Sequence, residues 1–577
     1  EIAVDGGDGS LDTVDLSLFG NRVLGVATVN RAGLAAEVEG TVIEGADWRA
    51  DYDATDPQTS LSAVVEGYEF TPFRVTRFRA TGNGSVALVS DQTADESGVL
   101  ASVETSGVTV TIDAASLETS ALDISGNIVA AQARINDAVN RISFDAATVL
   151  RNGGGETEGQ IELPPGPLAT IVAVQGSGRG EIDTDDPGRL TDVVATLTDS
   201  GIDVDLPELA IGSLTVDNSM LSASAAANVA NNAIEAEAVA IVAGLGDQVP
   251  TSEIAFNSND TDYDYSMLAS FSILSSQRNE SQRFDGEPRG PSVIATLENA
   301  DGEAAVEVSL ENGLDNGRIS LDGTTSAAVA RGNVANNAIN LEAVTIEGSA
   351  HILSRQGNDG DVIATNTNGG ISLVLNEGGG GALSAGQVSM DNNSIQATAI
   401  GNAIVNEVRA DTAAGFVGPG VGDPAVVDAD LPIDGEVSVS AGLSVLNSQF
   451  NGGTEENTQT IAATVTNGQI ALNVNGATSA SSMTASGNRV DATAIANFAD
   501  NSVTSLSSGG ALPSASVYNR QLNEFSNTTA TVTGSGVSFV ASGVVSASTF
   551  NAVNSTVSAA AVGNSAVNTV TTSNAAP

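Results

Sequence analysis

The segment NRVDATAIANFADNSV at residues 488–503 alternates small or apolar residues with polar ones, and it carries Asn at positions 497 and 501. The segment NSIQATAIGNAIVNEV at 393–408 repeats this pattern, with Asn402 and Asn406 at the equivalent places. A period of two turns alternate side chains to opposite faces of a strand. Both segments therefore predict β-strands, although their alanine content alone would also suit a helix.

The same pattern recurs seven times along the chain. The landmark Asn residues of the seven copies are Asn30, Asn136, Asn228, Asn333, Asn402, Asn497 and Asn564. Six copies carry a second Asn four residues later, whereas the first copy has Leu34 there. Successive landmarks lie 67–106 residues apart. A recurring unit of this kind predicts a protein built by stacking similar repeats.

A second landmark keeps the same order as the first. An apolar residue stands three positions before a Gln and an Asn two positions after it, around Gln277, Gln356, Gln449 and Gln521. Together the landmarks predict one elongated repeat array over 1–577. The approximate units are 1–45 (partial), 46–142, 143–245, 246–345, 346–410, 411–505 and 506–577.

Alternating strands separated by Gly, Asn and Asp turns predict an all-β fold. We expect a β-solenoid (β-helix) of about seven imperfect repeats, in which the landmark Asn side chains stack as a ladder. If one turn takes roughly 20 to 30 residues, each repeat holds three or four turns and the rod is on the order of 100 Å long. Tandem Ig-like β-sandwiches are the alternative fold, and turn preference is the alternative role of the Asn residues.

The composition excludes several classes of function. The chain has 20 Lys and Arg, all of them Arg, against 71 Asp and Glu, and its net charge is −51. Because such a chain repels phosphate, we exclude nucleic acid as a partner. The absence of Cys excludes disulfides and thiolate metal sites, and no apolar run is long enough to cross a membrane as a helix.

Several strands with a Gly-Asn dipeptide resemble the repeats of secreted bacterial surface-fibre proteins. They include SGNIVAAQARIN (125–136), IGNAIVNEV (400–408), SGNRVDATAIAN (486–497) and VGNSAVNTV (562–570), together with the Gln landmarks LSSQRN (274–279) and LNSQFN (446–451). The families concerned are the curlin-type fibre proteins and the holdfast-attachment proteins of stalked bacteria. The resemblance implies fibre formation at a cell surface or in a biofilm.

The sequence predicts no catalytic site. His351 is the only His, and it opens the ordinary strand-to-turn stretch HILSRQGN. A carboxylate pair of the kind that polysaccharide-cleaving enzymes use carries no information among 71 acidic residues. Aromatic residues for sugar stacking make up only 3% of the chain. We therefore expect neither enzyme activity nor an organic cofactor, and a polysaccharide-active β-helix is the least favoured alternative.

Two acidic clusters predict binding of calcium, which prefers several oxygen ligands. The residues of the first cluster are Asn259, Asp260, Asp262 and Asp264, and those of the second are Asp428, Asp430, Asp434 and Glu436. Neither cluster has the spacing of an EF-hand loop. Solvated acidic loops are the alternative interpretation.

An insertion at 47–79 concentrates Arg and aromatic residues, including the only Trp. Interfaces favour such residues, and Arg would bind the acidic surface of a neighbour. We predict an assembly interface formed by Trp48, Arg49, Arg74, Arg77, Phe78 and Arg79. A second stretch of similar composition spans 256–289. The alternative is a local minicore that covers an irregular part of the solenoid.

Together these features predict an extracellular structural protein that forms a filament or matrix fibre from copies of itself, joined head to tail. The chain begins at Glu1, which indicates either removal of an N-terminal leader, as we expect for a secreted protein, or a piece cut from a longer chain. The alternative function is an adhesin or passenger stalk that binds a surface or a glycan. A cell-surface anchor or a glycan would then be a further partner.

Overall fold

The computed structural model describes residues 2–5, 11, 14–44, 62–66, 75–83, 86–95, 98–114, 116–150, 168–178, 192–242, 252–258, 261–267, 269–279, 290–376, 382–416, 425–431, 435–453 and 458–574. These residues form strands, turns and bends, and none of them is helical. The strands form six parallel sheets and one antiparallel sheet. The predicted all-β fold is confirmed, and the layered parallel sheets are consistent with a β-solenoid.

The longest strands carry the landmark Asn residues and form one parallel sheet of seven strands, which we call the long sheet. Its strands are Arg22–Glu44, Ile128–Leu150, Met220–Val242, Thr325–Glu347, Ser394–Phe416, Arg489–Ser507 and Thr556–Asn574. Neighbouring strands pair so that each landmark Asn lies opposite the next one, as Asn136 does with Asn228.

Two parallel sheets of six strands follow the long sheet along the chain. The glutamine sheet consists of Val86–Asp95, Ala169–Gly178, Phe271–Asn279, Ala350–Asn358, Leu443–Gly452 and Ala515–Glu524. The threonine sheet consists of Val99–Glu104, Val193–Thr198, Val293–Glu298, Val362–Thr367, Gln459–Thr466 and Ser526–Thr533.

Three further parallel sheets complete the set. The valine sheet consists of Ile2–Asp5, Gly107–Asp113, Gly201–Leu206, Val306–Leu310, Ile371–Leu375, Gln469–Asn475 and Gly536–Ser542. The first short sheet consists of Ser116–Leu117, Glu208–Leu209, Gly313–Asp315, Ala382–Ser384, Ala477–Ser479 and Val545–Ser546. The second short sheet consists of Asp15–Ser17, Ser120–Asp123, Gly212–Thr215, Arg318–Ser320, Gln387–Ser389, Ser482–Thr484 and Thr549–Asn551.

Each repeat after the first contributes one strand to each parallel sheet, and the first contributes strands to the long, valine and second short sheets; the strands of each sheet stack in chain order. We call the set of strands from one repeat a rung. The landmark Asn of one rung bonds to the landmark Asn of the next rung, 67–106 residues along the chain. One whole repeat therefore forms one turn, and the prediction of three or four turns per repeat is wrong. Seven strands at about 4.8 Å span roughly 30 Å, so the predicted rod length of about 100 Å is also wrong. The unit boundaries given above stay predictions.

Insertions between the long and glutamine sheets form the antiparallel sheet, which we call the insertion sheet. Its strands are Ser62–Glu66, Val75–Asn83, Ser252–Ser258, Thr261–Met267, Ala425–Leu431 and Gly435–Ala441. They form three hairpins, which precede the second, fourth and sixth rungs. Two rungs rise by about 9.6 Å, which is also the width of a two-stranded hairpin. Hairpins in alternate rungs therefore meet edge to edge.

The apolar interior forms two large clusters along the long sheet, with a small one between them of Ala230, Ala335, Ile404 and Ala499. The first half of each long strand packs against the threonine, valine and short sheets, as Ala133 and Ile135 do. The second half packs against the glutamine sheet, as Ile142 and Phe144 do. Consecutive residues of a strand normally face opposite sides, but Ile135 and Asn136 are both fully buried. The alternation of inward- and outward-facing residues therefore shifts by one position between them. The landmark Asn thus marks the point where the long strand passes from one core to the other.

Candidate functional site: side-chain ladders and open ends

The landmark Asn side chains form a continuous ladder between the two apolar cores. The Nδ2 of each Asn donates to the Oδ1 of the next one, from Asn30 through to Asn564, at 2.7–2.9 Å. Several of these amides also donate to a carbonyl of the glutamine sheet, as Asn402 does to the Phe450 oxygen at 2.8 Å. The ladder therefore joins rungs along the axis and sheets across the interior.

A second Asn ladder runs beside the first. It links Asn140, Asn232, Asn337, Asn406, Asn501 and Asn568 at 2.8–2.9 Å. The equivalent position of the first rung is Leu34, which pairs with Asn140 in the long sheet. Within the described part of the chain, the buried Oδ1 of Asn140 has no hydrogen-bond donor. The missing Asn of the first repeat thus ends this ladder.

A glutamine ladder faces the Asn ladders and has the opposite polarity. Each Gln Nε2 donates to the Gln of the preceding rung at 2.7–2.8 Å, through Gln92, Gln175, Gln277, Gln356, Gln449 and Gln521. Each also donates to a long-sheet carbonyl, as Gln356 does to the Ala403 oxygen. Sequence reasoning missed Gln92 and Gln175, because Ala94 and Ser177 replace the Asn that accompanies the other four.

A column of aspartates lies at the turn that precedes the long strands. Asp217 accepts hydrogen bonds from the backbone N–H of Asp322 and the hydroxyl of Ser320 in the next rung. Asp322 accepts the equivalent bonds from the rung that follows it in the chain. Burial raises the pKa of Asp217, and the charge of Asp322 adds to this effect. Sequence reasoning missed this column, because single Asp residues in turns are common.

His351 is fully buried in the glutamine sheet and is not a surface residue. It stacks between Ser272 and Ser444, and its Nδ1 shares a short hydrogen bond with the Ser444 hydroxyl. Burial lowers the pKa of His351 to about 3. The imidazole is therefore neutral at pH 7 and occupies a position that neighbouring rungs fill with Ser.

Three of the predicted assembly residues lie outside the described residues, namely Trp48, Arg49 and Arg74. Arg77, Phe78 and Arg79 belong to Val75–Asn83 in the insertion sheet. The backbone of this strand pairs with Ser252–Ser258, so that Phe78 lies opposite Phe256. The two Arg- and aromatic-rich stretches thus pair with each other within one chain, which sequence reasoning did not predict.

The predicted calcium ligands are also gathered in the insertion sheet, as far as they are described. Asn259, Asp260 and Asp434 lie outside the described residues. Asp262 and Asp264 lie on Thr261–Met267, and Asp428 and Asp430 lie on the adjacent strand Ala425–Leu431. Glu436 lies opposite Asp430 on the last strand of the sheet. The backbone therefore brings both acidic clusters onto neighbouring strands, and calcium binding stays a prediction.

A groove of about 480 Å³ lies at the corner between the threonine and valine sheets. Its acidic lining residues are Asp199, Asp203, Asp205, Glu303 and Glu307, and no aromatic residue lines it. It lacks the sugar-stacking platform that the polysaccharide-active alternative requires. Among the side chains that the structure describes, no group of His, Asp and Glu is arranged to hold a metal ion.

The ends of the stack differ from its interior. The last strand, Thr556–Asn574, pairs on one edge only and is mostly exposed. The equivalent strand of the fifth rung, Ser394–Phe416, pairs on both edges and buries alternate residues. An unpaired parallel edge presents a row of N–H and C=O groups that another strand can bind.

Comparisons with known proteins identify no relative. No protein-family model matches the chain, and no curated protein or solved structure is significantly similar to it. The described residues include no helix with the length and apolarity needed to cross a membrane.

We predict that Asn402→Ala lowers the free energy of unfolding by about 1–3 kcal/mol, because it removes three hydrogen bonds that a buried amide makes to Asn333, Phe450 and Asn497. The matched control is Asn336→Ala, which removes an exposed bond between Asn336 and Asn231 and should change stability by less than about 0.5 kcal/mol. Urea unfolding of both variants measures the difference. Equal losses would show that the buried ladder adds nothing to stability.

We also predict a pH dependence that depends on His351. Its pKa is lower in the folded chain than in the unfolded chain, so this contribution to stability is complete above pH 6.5 and is lost as the pH falls towards about 3. Relative to His351→Ser, the wild-type chain should lose about 1.4 kcal/mol per pH unit below pH 6. Urea unfolding at low salt between pH 7.5 and pH 5 tests this, and parallel curves for the two chains would contradict it.

Proposed function

We propose that the chain is a structural subunit of an extracellular filament or matrix fibre, built as a β-solenoid with one rung per repeat. The observation that carries the proposal is the pair of open ends. In the described part of the chain, six parallel sheets all run along one axis and finish in strands that pair on one side only. Such ends favour addition of further strands from another copy.

The interior supports a structural role. Three amide ladders cross successive rungs, and each is made of side chains that are nearly all buried. Interactions of this kind repeat along an axis and confer stiffness without any need for a ligand. The absence of Cys makes the fold independent of redox conditions.

The charge gives assembly a dependence on salt. A net charge of −51 keeps separate copies apart at low ionic strength. At about 1 M salt the Debye length falls to about 3 Å, so this repulsion is screened. We therefore propose that assembly is favoured at high salt.

An adhesin or passenger stalk is the second candidate function, and the insertion sheet favours it. This sheet is separate from the repeating strands and gathers the Arg-rich and acidic insertions of three rungs. In that case the insertion sheet would bind a surface or a glycan, and the ends would not join.

Negative-stain electron microscopy of the purified chain at about 0.02 M and about 1 M salt tests the proposal. We expect isolated short particles at low salt and long uniform filaments at high salt, because screening removes the repulsion between copies. Parallel samples with calcium and with a chelator separate a calcium requirement from a salt effect. Isolated particles under every condition would contradict self-assembly and favour the adhesin.

A further inference from the structure

Five of the six strands of the last rung carry no charge, whereas its glutamine strand, Ala515–Glu524, carries Arg520 and Glu524. Residues 525–577 contain no Asp, Glu, Arg, Lys or His, although charged residues make up 16% of the chain. The preceding long strand, Arg489–Ser507, has three charged residues. Proteins that remain monomeric usually protect exposed strand edges with charges or with Pro. The five uncharged strands have neither, so their edges lack the usual protection against pairing.

Apolar side chains are exposed at both ends of the stack. Those of the last rung include the inward-facing Val557 and Val570, which are 49–50% exposed, whereas their partners Val490 and Val503 in the preceding rung are fully buried. In the first rung, Val29 is 40% exposed, whereas Ile135 at the equivalent place in the second rung is fully buried. Burying such groups against a partner is favourable in proportion to the area removed from water. The two ends are therefore suited to contact, but the first rung carries charges such as Arg22 and Arg31.

The polarity of the Asn ladder indicates which ends meet. Every Nδ2 in the ladder donates towards the C-terminal rung, where Asn564 is the last acceptor. If two last rungs met, the amide donors of their Asn564 residues would face each other. If the last rung meets a first rung, Asn564 adjoins Asn30, which occupies the same column. Head-to-tail contact therefore continues the ladder, and tail-to-tail contact interrupts it.

We propose that the last rung binds the first rung of a second copy of this chain, with Thr556–Asn574 pairing in register with Arg22–Glu44. This inference rests on the proposed function and specifies its interface. The two ends of the stack form the contact between copies, and the insertion sheet takes no part in it. The second Asn ladder does not continue across this junction, because Leu34 occupies its position in the first rung.

The strand counts define the junction further. The long, valine and second short sheets have seven strands, whereas the glutamine, threonine and first short sheets have six. In the first short sheet, Leu11 bridges to Leu117 at the place of the seventh strand. Contact in register therefore makes the seven-stranded sheets continuous and leaves one strand position empty in the glutamine and threonine sheets. The filament then has an axial repeat of about 34 Å, which is seven strands at about 4.8 Å.

Two substitutions in one inward-facing column test the interface. This column has Ala in all seven rungs, from Ala27 in the first to Ala561 in the last. Its interior members, such as Ala494, are fully buried, whereas Ala561 is exposed. Ala561→Glu and Ala27→Glu each place an inward charge at one open end, where water solvates it only until a second copy binds.

The matched control is Val562→Glu. Its side chain belongs to an outward-facing column that includes Arg134, so a charge there stays in solvent after stacking. Circular dichroism and urea unfolding establish that each variant folds. If Ala561→Glu lowers the urea midpoint, Ala559→Glu on the same strand replaces it.

We expect wild-type chain and Val562→Glu to form filaments at high salt, while Ala561→Glu and Ala27→Glu each remain monomeric. A one-to-one mixture of the two monomeric variants should give two-copy complexes and nothing longer, because one intact last rung meets one intact first rung. Analytical ultracentrifugation measures the masses. Filaments of Ala561→Glu, or dimers of Ala27→Glu alone, would overturn the interface while the proposed function stands. A wild-type chain that never assembles would overturn both.

Discussion

The structure depends on the burial of amide side chains that must all be hydrogen-bonded. An unpaired amide inside a protein costs free energy comparable to a lost hydrogen bond, so each ladder member needs its neighbour. The Asn and Gln ladders meet this need only when successive repeats stack in register. A shift of one residue would turn every inward side chain outward and break all the ladders together. The small Ala and Val side chains of the cores define the strand register only weakly. The ladders therefore fix this register.

This constraint explains the position of the landmark Asn. Ile135 and Asn136 are adjacent and both buried, so the alternation of inward- and outward-facing residues in the long strand shifts by one position there. The Asn136 side chain reaches the Gly176 carbonyl on the glutamine sheet, while Gln175 reaches the Val229 carbonyl on the long sheet. The two sheets thus approach each other through reciprocal amide-to-backbone bonds. Apolar side chains at these positions would leave the carbonyls unsatisfied.

The repeats, the strand period and the positions of the Asn residues were all predictable from sequence, since each leaves a local pattern. The number of rungs per repeat was not predictable from sequence. The strands within one repeat do not resemble each other, so the sequence does not show which strands stack. Their stacking partner is the same strand of the next repeat, as Ala133 pairs with Ala225. The insertion sheet was also beyond sequence reasoning. Val75–Asn83 pairs with Ser252–Ser258 across a long separation, and neither strand carries a landmark.

The central claim is that successive repeats stack one rung apart and in register, and a double-cysteine variant tests it most directly. The native chain has no Cys, and Thr398 and Thr493 are outward-facing partners on adjacent long strands. Registered strand neighbours lie within the Cα separation of about 4.4–6.8 Å that a disulfide spans. Oxidation of the Thr398→Cys, Thr493→Cys chain should therefore give an intramolecular disulfide in high yield, whereas the shifted pair Thr398→Cys, Ile495→Cys should not. Equal yields from the two chains, or a disulfide only in the shifted one, would contradict the account.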